Sequence, residues 1–251
     1  MILTIQIKQI VMNTFREPKE AFPYKPPSAE IKKHFRDIFL IKAPLPDRAF
    51  ISFIYKCIAL FFILLSIPIF LFFKIFYVLE GLFVPENKGP LFYSYNAVSQ
   101  GKVFPKYKLR VIKNKYIDLA AAKRGDWIAY SAEWRPECRT FLGRFIKKFY
   151  LDELPQFFNV LQGHMSIVGP RPMAVIHYER NLAQGNVCHS LLKGGLLGLG
   201  HINKGTSQMG NPIHDYEYLR LYQTLPTWRL LLVDLKIIFK GVIVIIKGKG
   251  L

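Results

Sequence analysis

Hydrophobic residues fall along this chain in three patterns. The first is a continuous block: from Cys57 to Phe73 the sequence CIALFFILLSIPIFLFF runs for seventeen residues without a charge, bounded by Lys56 and Lys74. At ~1.5 Å per residue it covers roughly 25 Å, short of the ~30 Å hydrocarbon core, and snorkelling lysines with flanks from Phe50 to Leu79 extend it to a full span. Pro68, two residues after Ser66, removes a backbone hydrogen bond and predicts a break in the helix, where the Ser66 hydroxyl can satisfy a freed carbonyl. The second pattern is helical. Leu154, Phe157, Phe158 and Leu161 recur at i, i+3, i+4 and i+7 and predict a buried stripe, with Pro155 in the first turn and Gly163 as terminator. Near the C-terminus Leu231, Leu235, Ile238, Val242 and Ile245 share one helical face, and Lys236, Lys240 and Lys247 another. That helix either lies in a lipid interface or covers the domain core with its lysines solvated. The third pattern is short. Residues 89–112 read as strands and turns, 116–126 as a helix around Asp118, and Met165-Ser166-Ile167-Val168 as a strand.

Charge changes this picture. Lys+Arg number 35 against 17 Asp+Glu, a formal net charge of +18, in a chain that is 51% hydrophobic. The apolar content excludes a disordered chain, and three scattered cysteines (Cys57, Cys138, Cys188) exclude a disulfide scaffold and point to reduced thiols. No signal peptide opens the sequence. A chain both basic and greasy suggests a membrane surface before a nucleic acid, and no DNA-binding motif or interleaving of aromatics with Lys/Arg appears, so no nucleic-acid partner is expected. Basic residues flank the apolar block on both sides: Lys32, Lys33, Arg36, Lys42 and Arg48 before it, Lys74, Lys88, Lys102, Lys106, Lys108 and Arg110 after it. A spanning helix would place one cluster against the positive-inside rule. A re-entrant helix, bent at Ser66/Pro68, keeps both in the cytoplasm. A plain transmembrane span and a buried core helix are the alternatives. Residues 1–46 then form a basic, proline-containing arm, 47–88 the re-entrant membrane helix and its exit, and 89–251 a cytoplasmic domain.

Candidate chemistry is densest at Leu151-Asp152-Glu153-Leu154-Pro155. Two adjacent carboxylates at a helix N-terminus are favoured in the ionised form, beside free amides that favour a phosphate. Carboxylates next to a phosphate require a cation between them, and Mg²⁺ is the usual oxygen-seeking choice; one acid can then attack phosphorus while the other holds the metal. The plainer reading is compensation of the helix dipole. Gly169-Pro170-Arg171-Pro172 follows, a rigid turn that aims Arg171, whose fork suits a phosphate, although a solvated surface arginine fits the same residues. Lys147 and Lys148 add positive charge just before the acids. The six histidines have no partners at zinc-binding spacing.

The run LDELPQFFNVLQGHMSIVGPRP resembles the signature of the bacterial sugar transferase family, the monotopic phosphoglycosyl transferases that act on polyprenyl phosphate. The resemblance continues at Ser66 and Pro68, Gly89-Pro90-Leu91-Phe92-Tyr93, Lys108-Leu109-Arg110, residues 193–199, Val233-Asp234-Leu235-Lys236 and Gly248-Lys249-Gly250, and covers residues 47–251. It implies a helix-rich α+β cytoplasmic catalytic domain on an N-terminal re-entrant membrane helix, at the cytoplasmic face of the bacterial inner membrane. It implies an enzyme that moves a sugar-1-phosphate from a UDP-sugar to undecaprenyl phosphate and releases UMP, initiating exopolysaccharide assembly. Carried over, Asp152 is the nucleophile that forms a covalent phosphosugar, Glu153 helps bind Mg²⁺, and Arg171, Lys147, Lys108 and Arg110 contact phosphate. The sequence departs from the family pattern at Lys147, where an arginine is usual, and at Phe149-Tyr150, where Thr-Ser is usual. It departs also at Ala97 and Val98, in residues 193–198, and at Ile67, inserted between Ser66 and Pro68. These departures keep a second function class in view, a catalytically weak membrane scaffold of a polysaccharide-assembly complex.

Overall fold

A computed structural model describes residues 25–246 apart from 204–207 and 209. Residues 1–24 of the basic arm, Lys247 and the Gly248-Lys249-Gly250 run lie outside the described residues. The rest of the arm is part of the core. Helices α1 (Ala29–His34) and α2 (Arg36–Phe39) bury Phe35 and Ile38, and the Phe35 ring lies 5.7 Å from that of Tyr216.

The apolar block is one helix, α3 (Ala49–Phe83), of 35 residues. It continues through Ser66 and Pro68, so the expected break is a proline inside an unbroken helix. Pro68 leaves the carbonyl of Leu64 without its amide, whereas the Ser66 hydroxyl donates to the Phe62 carbonyl at 2.7 Å. A single stripe of α3, Ile51, Tyr55, Ala59, Ile63, Ser66, Phe73 and Tyr77, is buried against the rest of the protein. The spacing is three, four or seven residues, so one face packs along nearly the whole helix. Tyr55 near one end donates to Asp234 at 2.6 Å; Tyr77 near the other donates to the Arg110 carbonyl and lies 3.1 Å from the Thr140 hydroxyl. The opposite face leaves Phe53, Leu60, Phe61, Leu64, Leu65, Ile67, Leu71 and Phe72 exposed.

The domain behind α3 is α+β and helix-rich. A hairpin of β1 (Phe92–Ser99) and β2 (Lys102–Leu109) turns at Gln100-Gly101, both at positive φ. Helix α4 (Leu119–Lys123) starts at Asp118, whose carboxylate accepts from the Ala120 and Ala121 amides at 3.0 Å. Helices α5 (Phe141–Lys148) and α6 (Gln156–Leu161) flank the acidic pair. Strand β3 (Ser166–Val168) leads through the Gly169-Pro170-Arg171-Pro172 turn to β4 (Met173–Ala174), which pairs with β1 and gives the sheet order β2-β1-β4. After α7 (Val175–Ala183) and α8 (Cys188–Leu191), β5 (Gly195–Leu197) pairs parallel with β3. The Gly169 and Gly195 backbones approach so closely there that a side chain on either would collide with the other chain segment. Helices α9 (Leu199–Ile202), α10 (Ile213–Thr224) and α11 (Thr227–Ile246) complete the fold.

The predicted stripe on α6 is differently placed. Leu151–Glu153 form a separate 3-10 turn, α6 begins only after Pro155, and its buried residues are Gln156, Asn159 and Val160, while Phe158 is exposed. The reason is how the helix docks. Asn159 accepts from the Tyr107 amide at 3.1 Å and donates to the Pro105 carbonyl at 2.8 Å, tying α6 to β2 by a polar side chain. Phe157 is left to stack on Phe62 of α3, with 4.9 Å between ring centroids. Gly163, at φ +81°, ends the segment as its sequence position predicts. On α11 the buried line is Leu230, Asp234, Ile237 and Gly241, one residue away from the predicted apolar stripe. Leu235, Ile238, Val242 and Ile245 of that stripe instead line a groove between α11 and α3.

Candidate functional site

The site is assembled on one face of the hairpin. Side chains alternate across a strand, and cross-strand partners share a face. The register Tyr93↔Lys108 and Tyr95↔Lys106 therefore puts two tyrosines and two lysines side by side. All four are buried. The turn Leu151–Glu153 lays the acidic pair over them. Tyr150, at φ +56°, makes the reversal from α5 into that turn in a left-handed conformation unusual for a bulky residue.

Asp152 is 1% exposed. Its Oδ2 lies 2.9 Å from Lys108 Nζ and 3.1 Å from Lys147 Nζ. Both lysines also reach Glu133 Oε2 at 3.2 Å, and Tyr93 donates to the same oxygen at 3.2 Å. Two carboxylates and two ammoniums thus form a closed ring beneath the turn. Burial opposes the charges of Lys108 and Glu133, but close opposite charges win. Lys108, desolvated, is held well above the ordinary lysine range by Asp152 and Glu133. Glu133, equally desolvated, is pulled down to about 2 by Lys108 and Lys147. The Lys147 ammonium also sits 4.7 Å from the centroid of the Trp134 ring. In contrast, Asp152 Oδ1 is buried with no hydrogen-bond partner among the described residues. One oxygen of the carboxylate is clamped and the other is bare.

Glu153 points to the other side of the turn, where it is paired with both terminal nitrogens of the Arg171 guanidinium. Arg171 also meets His201 Nε2 at 2.9 Å. Burial disfavours the Glu153 charge, yet Arg171, Lys106 and Lys108 hold it well below the carboxylate range. Lys106 has the opposite fate: burial, with Arg171 adding to it, pushes its ammonium down to about 7.

Tyr150, Glu153, Arg171 and His201 form the polar end of the groove, a volume of ≈ 690 Å³ otherwise lined by apolar side chains that include Phe61, Phe62, Leu154, Phe157, Leu196, Leu235 and Ile245. Asp152 therefore lies just behind the charged end of an apolar channel.

Of the sequence-predicted residues, Asp152, Glu153, Arg171, Lys147 and Lys108 converge here. Arg110 does not. It follows Leu109 on the chain but turns away, and its guanidinium donates to the carbonyls of Pro90, Ile112 and Asn87 at 2.7–2.8 Å while Tyr77 covers it at 4.4 Å. Its role is to pin the hairpin to α3, and no phosphate contact is left to it. Ser66 and Pro68 lie in the membrane-type helix, apart from the charged ring. The sequence reading has no place for Glu133 or Tyr95, and it names Lys106 only as part of a basic cluster and Tyr93 only within the family resemblance. The hairpin residues carried a usable signal, Lys and Tyr alternating with other residues on paired strands. Glu133 carried none, because it lies in a 3-10 segment, Trp127–Trp134, with no periodicity that marks it as buried.

A buried carboxylate held by two lysines, close behind the charged end of an apolar groove and beside a helix long and apolar enough to cross a membrane, is the geometry of the site. The chain belongs to the bacterial sugar transferase family, whose model matches residues 48–248. It is 34% identical over 178 residues to an undecaprenyl-phosphate galactose phosphotransferase of Salmonella typhimurium, covering 66% of this chain and 36% of that protein. It is 48% identical over 105 residues to a UDP-glucose:undecaprenyl-phosphate glucose-1-phosphate transferase of Klebsiella pneumoniae, covering 40% and 22%. A galactosyl transferase, CpsE, of Streptococcus agalactiae is 34% identical over 175 residues, covering 66% and 37%. The chain thus spans little more than a third, or less, of the length of these relatives.

Proposed function

We propose that this chain is a phosphoglycosyl transferase that moves a sugar-1-phosphate from a UDP-sugar to undecaprenyl phosphate at the cytoplasmic face of the bacterial inner membrane. The observation that carries the proposal is the asymmetry of Asp152: Oδ2 held by Lys108 and Lys147, Oδ1 bare. An ionised, oriented carboxylate oxygen is a nucleophile. Asp152 Oδ1 attacks the sugar-bearing phosphorus of the donor. The new Oδ1–P bond forms as the bond from that phosphorus to the bridging oxygen breaks, and UMP leaves with the electron pair. A phosphate oxygen of the acceptor then attacks the same phosphorus, the aspartyl carboxylate departs, and the lipid carries a diphosphate-linked sugar. No net proton transfer is required. Arg171 positions phosphate, and Lys108 and Lys147 compensate charge that builds on oxygen.

The residues fit Mg²⁺. Glu153 stands at the polar end of the groove, and Mg²⁺ takes one or two carboxylates with substrate phosphates completing its shell. Bound there by Glu153 it would supply Lewis-acid polarisation of the diphosphate. Arg171 must release Glu153 for this, and the donor diphosphate is the natural competitor for its guanidinium.

The acceptor lies with its phosphate at Glu153/Arg171 and its isoprenoid chain in the groove. Both ends of helix α3 stay on one side of the membrane, as in a re-entrant helix, although no break interrupts it at Ser66 or Pro68. Both its ends are tied to the same domain through Tyr55 and Tyr77, which leaves its exposed phenylalanines and leucines for lipid. Cysteines placed at Lys42 and Lys88 should then react with an impermeant maleimide from one side of the membrane; reaction from opposite sides rejects the re-entrant topology.

The decisive assay is UMP release by the purified chain with Mg²⁺, undecaprenyl phosphate and a panel of UDP-sugars. Asp152→Asn should lose at least about a thousandfold in rate, and labelled donor should leave an acyl-phosphate adduct on the wild type alone. Retained turnover in the variant removes Asp152 from the nucleophile role. Normal polysaccharide in cells carrying Asp152→Ala would instead favour the scaffold reading.

A further inference from the structure

Lys106 and Lys108 are neighbours on the same face of β2, both essentially buried, yet only one is paired. Lys108 bridges Asp152 and Glu133. Lys106 is 1% exposed and has no hydrogen-bond or ion-pair partner among the described residues. Its cross-strand partner Tyr95 is 8% exposed, and its hydroxyl is likewise without a hydrogen-bond partner among the described residues. Tyr95 and Lys106 lie two residues from Tyr93 and Lys108 on the paired strands, so they share the hairpin face on which Lys108 meets Asp152 and Tyr93 meets Glu133. An unpaired buried ammonium is costly to the fold, and the cost is relieved only when an anion arrives.

Resting on the reading of this site as a phosphoglycosyl transferase, we propose that Lys106 and Tyr95 form a second oxyanion subsite that takes a phosphate oxygen of a substrate. It is distinct from the ring that holds Asp152. The Lys106 ammonium donates to a non-bridging phosphate oxygen, and the Tyr95 hydroxyl donates to the same or the adjacent oxygen. The ring of Lys108, Lys147, Glu133 and Asp152 is already internally satisfied, so the charge that recognises an arriving phosphate has to come from outside it. Two phosphate-bearing substrates visit the site, the nucleoside diphosphate sugar and the lipid phosphate, and Lys106 serves one or both.

The test uses the full chain in detergent, titrated separately with UDP and with farnesyl phosphate by calorimetry. Lys106→Met breaks no ion pair, so it should melt at or above the wild-type temperature while binding of at least one probe weakens about 10- to 100-fold. Tyr95→Phe leaves the strand register intact and should weaken the same probe about 2- to 10-fold. Lys106→Arg should recover part of the loss. Weakening confined to UDP assigns the subsite to the donor, weakening confined to farnesyl phosphate assigns it to the acceptor, and weakening of both assigns it to each in turn. Wild-type affinity of both variants for both probes overturns the subsite, as does a lowered melting temperature in Lys106→Met without any change in binding. Failure of the transferase reading shows itself separately, as no UMP release by the wild type.

Discussion

The floor of the site and the groove beside it are built on opposite principles. The floor is closed. Lys108, Lys147, Glu133 and Asp152 are nearly inaccessible and satisfy one another, with the single exception of Asp152 Oδ1. Lys108 and Glu133 are held charged by their partners in a desolvated place, where breaking a pair is far more expensive than at a surface. The groove is open and apolar. Leu235 and Val242 of α11 and Phe61 and Phe62 of α3 are exposed in it, presenting apolar surface to whatever lies between the two helices. Preorganised charge suits the proposed nucleophile, which must be held still, while an apolar wall suits the proposed isoprenoid chain, which makes few specific contacts. Glu153 and Arg171 stand where the two regions meet.

The comparison is broken most severely at Glu133. Glu133→Gln leaves Lys108 and Lys147 sharing Asp152 alone and should destabilise the fold by about 3–5 kcal/mol, read as a lowered denaturant midpoint at unchanged slope. A variant as stable as the wild type would show that the ring is not held by charge. The groove is tested by filling it. Val242→Trp should cut turnover with undecaprenyl phosphate roughly tenfold, through about 1–2 kcal/mol of lost apolar contact with the acceptor. The single burst of UMP formed without acceptor should be unchanged; an equal loss in the burst would place the donor, not the lipid, in the groove.

The smallest effect separates the two lysines of β2. In the unfolded chain Lys106 binds its proton up to its ordinary value of 10.5, but in the fold only up to about 7. Between these values the unfolded state holds more protons, so this residue makes wild-type stability rise with pH. Lys106→Met should therefore be more stable than the wild type near pH 7, with the difference in melting temperature shrinking toward pH 10. A difference independent of pH would mean that Lys106 is paired.

Local sequence made much of this legible. Seventeen uncharged residues predict one long apolar helix, Asp118 caps α4 through its own side chain, and Gly163 stops a helix because it tolerates positive φ. The acidic pair beside Pro155 and the arginine between two prolines were conspicuous for similar reasons, their constraints lying within a few bonds. The α6 stripe misled because periodicity names an apolar face but not its partner. Asn159 tied the helix to β2, and Phe157 turned outward to α3.

Read as a string, the chain specified its elements, its excess of positive charge and the acids at its chemical centre, since each follows from neighbouring residues. Folding settled the matters that depend on distant segments meeting. It brought Glu133 from an irregular stretch under two lysines, turned Arg110 away to bind carbonyls, left Lys106 without a partner and opened an apolar channel between α3 and α11. The strength of a buried charge depends on which opposite charge lies within a few ångströms of it, and residues far apart along a chain carry no mark of that nearness.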